Sequence, residues 1–117
     1  MPKMGVLESR FADIIWSREP LSSGELVREA ERALRWKPTT SYTVLKRLCQ
    51  RGLFQNQGGT VTSLVSREAY YAMQSEEFVN ETFDGSLPAF LAAFGRRKKL
   101  SEDEAEELKA LIDGMRR

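Results

Sequence analysis

The stretch from residue 35 to residue 51, RWKPTTSYTVLKRLCQR, combines positive charge with hydroxyl groups and contains no acidic residue. Its cationic residues are Arg35, Lys37, Lys46, Arg47 and Arg51. Its hydroxyl groups belong to Thr39, Thr40, Ser41, Tyr42 and Thr43. Ammonium, guanidinium and hydroxyl groups are the side-chain groups that hold phosphate oxygens in proteins. The stretch therefore predicts a surface that binds an anion.

The residue types that most catalytic sites need are missing from the sequence. It contains no histidine, and Cys49 is its only cysteine. One chain therefore cannot form a disulfide, a thiolate–imidazole metal cluster or a histidine-based catalytic triad. Asp103 and Glu104 lie at a predicted helix start, where capping and the helix dipole account for them. We expect a protein that is not an enzyme and has no cofactor.

Length and composition favour one modest domain, or a small domain with an appended interaction segment. The chain has 117 residues, of which 41% are hydrophobic and 30% are charged, with a net charge of +1. Attraction to a polyanion must therefore come from the distribution of charges rather than from their sum. No apolar run approaches the roughly 20 residues that cross a bilayer, and the first residues lack the apolar core of a signal peptide. We expect a cytoplasmic protein with no membrane partner.

Three helices are predicted to position the basic stretch. Apolar residues at helical spacing predict a first helix from Leu7 to Trp16, ended by Glu19-Pro20. Ser22 and Glu25 have the capping-box spacing that starts a second helix. A third runs from Pro38 to a stop at Gly52, with one face formed by Ser41, Val44, Leu45 and Leu48. The opposite side carries Thr39, Thr43, Lys46 and Gln50, flanked by Tyr42 and Arg47.

A β-hairpin is predicted directly after the third helix, because two strand-like segments flank Gly58-Gly59. Three helices followed by a hairpin is the order of a winged helix, in which the third helix enters the major groove of DNA. The predicted DNA contacts are Lys37, Thr39, Thr40, Tyr42, Thr43, Lys46 and Arg47. Two alternatives stay open: a solvated basic face, or a winged-helix module that docks an acidic protein partner. Trp16, Trp36 and Cys49 are predicted to pack rather than to bind.

Three further helices are predicted: Arg67 to about Phe83, a helix capped by Ser86 that ends near Gly95, and Glu102 to about Asp113. Their apolar residues exceed what such short helices bury among themselves. A homodimer is therefore expected, although the alternative of internal burial stays open. The predicted dimerisation residues are Phe78, Val79, Phe83, Leu87, Phe90, Leu91, Phe94, Leu108, Leu111 and Ile112.

Four segments resemble the penicillinase-repressor family of bacterial transcription regulators. They are ADIIW at 12–16, WKPTTSYTVLKRL at 36–48, RGL at 51–53 and FVNETFDGSL at 78–87. The resemblance implies a mostly α fold with a small β-hairpin wing: a winged helix-turn-helix DNA-binding domain at 1–66, followed by C-terminal dimerisation helices at 67–117. It also implies a transcriptional repressor that binds a palindromic, inverted-repeat operator in double-stranded DNA as a homodimer.

The sequence departs from the family's pattern at three places. Its hairpin tip, QNQGGT, lacks the basic residue that members often carry in the wing. Members that repress penicillinase genes are inactivated when a membrane sensor protease cuts an Asn-Phe bond, and the similar position here is Ala93-Phe94. The resemblance thus implies a regulatory protease that acts near this bond. The cysteine cluster of the copper-responsive relatives is absent, which argues against copper sensing.

Overall fold

The structure is a computed structural model that describes residues 4–116. These residues form helices and a small antiparallel sheet, as the sequence predicts. The elements are α1 (Val6–Arg18), β1 (Leu21–Ser22), α2 (Ser23–Leu34), α3 (Pro38–Gln50), β2 (Phe54–Gln57), β3 (Thr60–Ser63), α4 (Arg67–Phe83), α5 (Leu87–Gly95) and α6 (Glu102–Met115). The predicted fold class, mostly α with a β-hairpin wing, is confirmed. Within the described residues, no helix is both long and apolar enough to span a bilayer.

The chain divides into two compact units, one ending at Ser75 and the other beginning at Glu76. The first unit has a hydrophobic core contributed by α1, α2, α3, the sheet and the start of α4. Its buried members are Phe11, Ala12, Ile15, Leu21, Leu26, Ala30, Val44, Leu45, Leu48, Leu53, Phe54, Val61 and Tyr70. Leu7, which shares the spacing of the apolar face of α1, is 47% exposed because it lies in the helix's first turn.

Helix α2 begins at the position that the capping-box spacing of Ser22 and Glu25 predicts. The Ser22 hydroxyl oxygen accepts a hydrogen bond from the Glu25 backbone N–H at 3.0 Å. The Glu25 carboxylate in turn accepts a bond from the Ser22 hydroxyl at 3.2 Å. The cap satisfies one of the amides that a helix start leaves without a partner. It also fixes the direction in which α2 leads toward α3.

The hairpin turns at Gly58 and Gly59, whose positive φ angles of 58° and 90° suit residues without a Cβ. Strands β2 and β3 pair antiparallel, with Gln57 opposite Thr60. The sheet has a third strand, since β1 pairs with β3 through Leu21 opposite Val61. This strand was not predicted, because a pairing of two residues with a distant segment leaves no local periodicity.

The second unit contains the end of α4 together with α5 and α6. Asp84 and Gly85, both with positive φ, end α4, and the Gly85 N–H donates to the Val79 carbonyl at 3.1 Å. Ser86 and Ser101 cap α5 and α6 by accepting bonds from the amides of Ala89 and Glu104, each at 3.1 Å. The predicted starts of these helices are thus confirmed. Helix α6 continues past the predicted end to Met115.

Candidate nucleic-acid interface

The turn between α2 and α3 is held in place by Trp36. Arg35, the C-cap residue of α2, has a left-handed φ of 60°, and the Trp36 N–H lies 3.5 Å from the Ala30 carbonyl. The Trp36 ring is 5.1 Å from the ring of Phe11, between centroids, and packs partly buried against the core. This aromatic contact ties the turn to α1, and it confirms the prediction that Trp36 packs.

One face of α3 belongs to the core. Ser41, Val44, Leu45 and Leu48 are all buried, as the helical spacing predicts. Gly52, with a φ of 82°, ends the helix: its N–H donates to the Cys49 carbonyl at 3.0 Å, and the Leu53 N–H donates to the Leu48 carbonyl at 3.1 Å. The buried face and the fixed end determine which side chains of α3 point outward.

The outward face of α3 collects the predicted binding residues. Exposed side chains here are Thr39, Thr40, Tyr42, Thr43, Lys46, Arg47 and Gln50. The Thr43 hydroxyl donates to the Thr39 carbonyl at 2.8 Å, which leaves its methyl group and its oxygen lone pairs outward. Helix α3 contains no acidic residue. The face therefore offers methyl groups, hydroxyls and positive charge to a ligand.

The N-terminus of α3 is open to an anion. Lys37 is the N-cap residue, it makes no side-chain capping bond, and Pro38 occupies the first turn. The first bond along the helix axis joins the Ser41 N–H to the Lys37 carbonyl at 3.2 Å. The amides before Ser41 therefore lack partners within the helix, and the helix dipole places partial positive charge beside Lys37.

Lys46 and Arg47 differ in their surroundings, although both are exposed on α3. Among residues 4–116, Lys46 makes no ion pair, whereas Arg47 Nη1 lies 3.1 Å from Glu8 Oε2 of α1. Glu8 Oε1 also accepts a bond from the Gly5 N–H at 3.2 Å. The sequence does not reveal this ion pair, because its partners are 39 positions apart.

A groove of about 370 Å³ lies between α3 and β2, beside the basic face. It is lined by Tyr42, Leu45, Lys46, Cys49 and Asn56. Cys49 is half-buried, and burial raises the pKa of its thiol. Asn56 is an exposed wing residue that sequence analysis did not assign to the site. Within the described residues, no histidine, cysteine or carboxylate group forms a metal-ligand cluster.

A separate surface lies in the second unit, where α5 and α6 leave an apolar groove of about 580 Å³. Its apolar lining is Phe90, Leu91, Phe94, Leu100, Ala105, Leu108, Leu111 and Ile112. Phe78 and Phe83 extend it through ring contacts with Phe90 at 6.1 and 5.6 Å between centroids. Val79 is half-buried and Leu87 is exposed, and neither lines the groove. No side chain of α5 or α6 is buried in the single chain.

Comparison with known proteins agrees with this architecture. The model of the penicillinase repressor family matches residues 4–114. The chain belongs to the penicillinase repressor family. It is 26% identical to the penicillinase repressor of Bacillus licheniformis, with 97% of this chain and 91% of the relative covered. The methicillin resistance regulatory protein MecI of Staphylococcus aureus strain Mu50 is 27% identical, with coverage of 91% and 89%.

Solved structures of this repressor family share the fold of the DNA-binding region. The solution structure of the DNA-binding domain of the repressor BlaI matches with a TM-score of 0.51 at 23% identity, covering 59% of this chain and 89% of that chain. The Bacillus licheniformis BlaI monomer in complex with the blaP half-operator matches equally well. At this identity the likeness shows the fold, and it confirms the winged-helix assignment.

Proposed function

We propose that the protein is a transcriptional repressor that binds double-stranded DNA through α3, which enters the major groove. The observation that carries the proposal is the outward face of α3, where Thr39, Thr40, Thr43 and Lys46 lie together on a helix free of acid. An α-helix fits the major groove of B-DNA, and the DNA phosphates are anions that a basic face without acidic residues can bind. The family's name and the half-operator complex of its Bacillus licheniformis member support the same function.

Each part of the α3 face has a chemical role in such a complex. Lys46, without an ion-pair partner among residues 4–116, donates to guanine acceptors or to phosphate oxygens. The threonine methyl groups contact thymine methyls, and the hydroxyls contact phosphates. Lys37 and the free amides at the start of α3 hold a phosphate at the helix N-terminus. Tyr42, at the edge of the groove toward the wing, packs against sugar or base.

The second part of the proposal is a homodimer joined through α4, α5 and α6. Phe94, Leu111 and Ile112 are 45%, 62% and 44% exposed in the single chain, so a second copy has a large apolar surface to cover. Two-fold symmetry presents two α3 helices, which requires an inverted-repeat operator. Residues 1–66 would thus form the DNA-binding domain and residues 67–117 the dimerisation region.

The dimer also suggests how repression is lifted. Two DNA-binding domains joined in one dimer bind the operator far more tightly than either domain does alone. Loss of the dimer therefore releases the operator. A regulatory protease acting near Ala93-Phe94 would cut α5 beside the apolar groove, which Phe94 lines. Mass spectrometry of the protein recovered from induced cells tests this step. Fragments ending at Ala93 support it, and intact chains at full induction contradict it.

Site selection from a random duplex library, at a stated salt concentration, tests the proposed function. An inverted repeat whose half-sites are spaced by one helical turn or a multiple of it is the expected product. Enrichment of a single half-site would contradict the dimer. If folded protein enriched no sequence at all, the proposed sequence-specific DNA binding would be contradicted. That last result, together with salt-insensitive binding to an acidic protein, would favour the protein-docking alternative.

A further inference from the structure

Glu8 brings a carboxylate to one edge of the α3 face. Thr40, Thr43 and Arg47 form that edge, because residues three and four apart lie together on a helix. Arg47 Nη1 is 3.1 Å from Glu8 Oε2, so the guanidinium is directed toward α1. A helix without any acid of its own thus has a carboxylate from another helix in contact with one of its basic side chains, Arg47.

Glu8 is the more buried partner of the pair, and Arg47 is the more exposed one. Glu8 is in the first turn of α1, where the helix dipole favours a carboxylate, and its Oε1 accepts the Gly5 N–H at 3.2 Å. The Glu8 side chain is 19% exposed, whereas that of Arg47 is 50% exposed. The carboxylate is therefore held by the Gly5 amide as well as by Arg47, while half of the Arg47 side-chain surface stays in contact with solvent.

From this geometry we infer that Glu8 is a positioning residue that lowers the affinity of α3 for DNA by holding and neutralising Arg47. The inference rests on the proposed DNA-binding function. A phosphate that approaches this edge of α3 must compete with Glu8 for the guanidinium. Surface ion pairs are weak enough for such exchange to occur. Because phosphate contacts carry no sequence information, Glu8 limits binding to all duplexes alike.

The test compares the unsubstituted protein with Glu8→Gln on a random-sequence duplex, by fluorescence anisotropy across a range of salt concentrations. Glu8→Gln keeps the side chain's shape and frees the Arg47 charge. We expect tighter binding at low salt and a log–log salt slope steeper by about 0.9 for each chain that contacts the duplex, so that the gain per chain shrinks roughly eightfold for each tenfold rise in salt. An unchanged slope, or weaker binding, overturns the inference.

Asp13→Asn is the matched control. Asp13 is also on α1, and its carboxylate also pairs with an arginine, Arg67 Nε at 2.9 Å. The substitution changes the net charge by the same amount, but Arg67 belongs to α4 instead of α3. The affinity of Asp13→Asn for the duplex should equal that of the unsubstituted protein. An equal gain from both substitutions would show a general charge effect and overturn the role of Glu8.

Arg47→Ala provides two further tests, one in combination with Glu8→Gln and one that needs no substitution of Glu8. Adding Glu8→Gln to Arg47→Ala should give no further gain in affinity, and a full gain in that background overturns the inference. Arg47→Ala alone should also weaken binding less than Lys46→Ala does, and an equal or larger loss overturns it. Failure of the unsubstituted protein to bind the duplex contradicts the proposed function itself. Normal binding with no effect of Glu8 contradicts only this inference.

Discussion

The two compact units differ in how far they bury their apolar side chains. In the unit that ends at Ser75, Phe11, Ile15 and Leu48 are fully buried. In the unit that begins at Glu76, α5 and α6 bury no side chain, and the aromatic rings of Phe83 in α4 and Phe90 in α5 contact each other beside an open groove. The first unit has a core of its own. The second unit leaves its apolar side chains exposed, as one half of a dimer interface does. This exposed apolar surface is the reason for assigning dimerisation to the second unit and DNA contact to the first.

The largest expected effect concerns the core of the first unit. Phe11→Ala removes a buried ring that also packs on Trp36, so it should lower the free energy of unfolding by about 3 to 5 kcal/mol. Denaturant unfolding of the full chain measures this loss. If Phe11→Ala cost no more than an exposed-residue substitution, the first unit would not be built around this core.

Lys46→Ala should weaken DNA binding by the first unit without changing its stability. It should weaken operator binding by about 1 to 3 kcal/mol if Lys46 reads a base, and change the preferred sequence. The unfolding free energy should not change, because the side chain is exposed and makes no ion pair within residues 4–116. Lys98→Ala, at an exposed lysine between α5 and α6 that does not line the apolar groove, is the control. If Lys46→Ala bound every DNA site normally, the DNA-reading surface would not include Lys46.

Phe94→Ala tests the second unit. The side chain is 45% exposed in the single chain, so truncation should weaken self-association by about 1 to 2 kcal/mol, as for an aromatic residue at an interface centre. Sedimentation equilibrium measures this change. Leu64→Ala removes an exposed apolar side chain from the first unit and should leave association unchanged. Equal effects from both substitutions would remove the distinction between the units.

The smallest expected effect compares two helix caps. Ser22→Ala removes the bond to the Glu25 amide in the first unit and should cost about 1 kcal/mol of stability at any protein concentration. Ser101→Ala removes the equivalent bond to Glu104 in the second unit. Its cost should depend on protein concentration, because the proposed dimer would stabilise α6 through the partner chain. Thermal unfolding at two concentrations distinguishes these responses, and identical behaviour would contradict the account.

The parts of the fold that follow from local pattern were predictable. The two faces of α3 follow from helical periodicity, so Ser41, Val44, Leu45 and Leu48 were correctly assigned to the buried side. Gly52 and the Gly58-Gly59 turn mark positive φ angles that few other residues adopt. Ser22, Ser86 and Ser101 mark helix starts because their hydroxyls cap the first turn.

What depends on contacts between distant residues was not predictable. Strand β1 exists because Leu21 pairs with Val61, and neither segment indicates this alone. Arg47 was predicted to bind DNA on its position in α3, and the sequence does not show that Glu8 lies 3.1 Å away. The contribution of Asn56 to the groove beside Lys46 likewise depends on how the hairpin packs against α3. The predicted DNA contacts and dimer contacts stay predictions.

The proposed dimer is tested most directly by the number of chains bound to one duplex carrying the selected operator, measured by native mass spectrometry. Two chains are expected on the full inverted repeat, with Phe94→Ala binding less tightly than the unsubstituted protein. A large loss of affinity is also expected when one half-site is scrambled. A single chain on the full site, or equal affinity for one half-site and two, would contradict the assignment of the second unit to dimerisation.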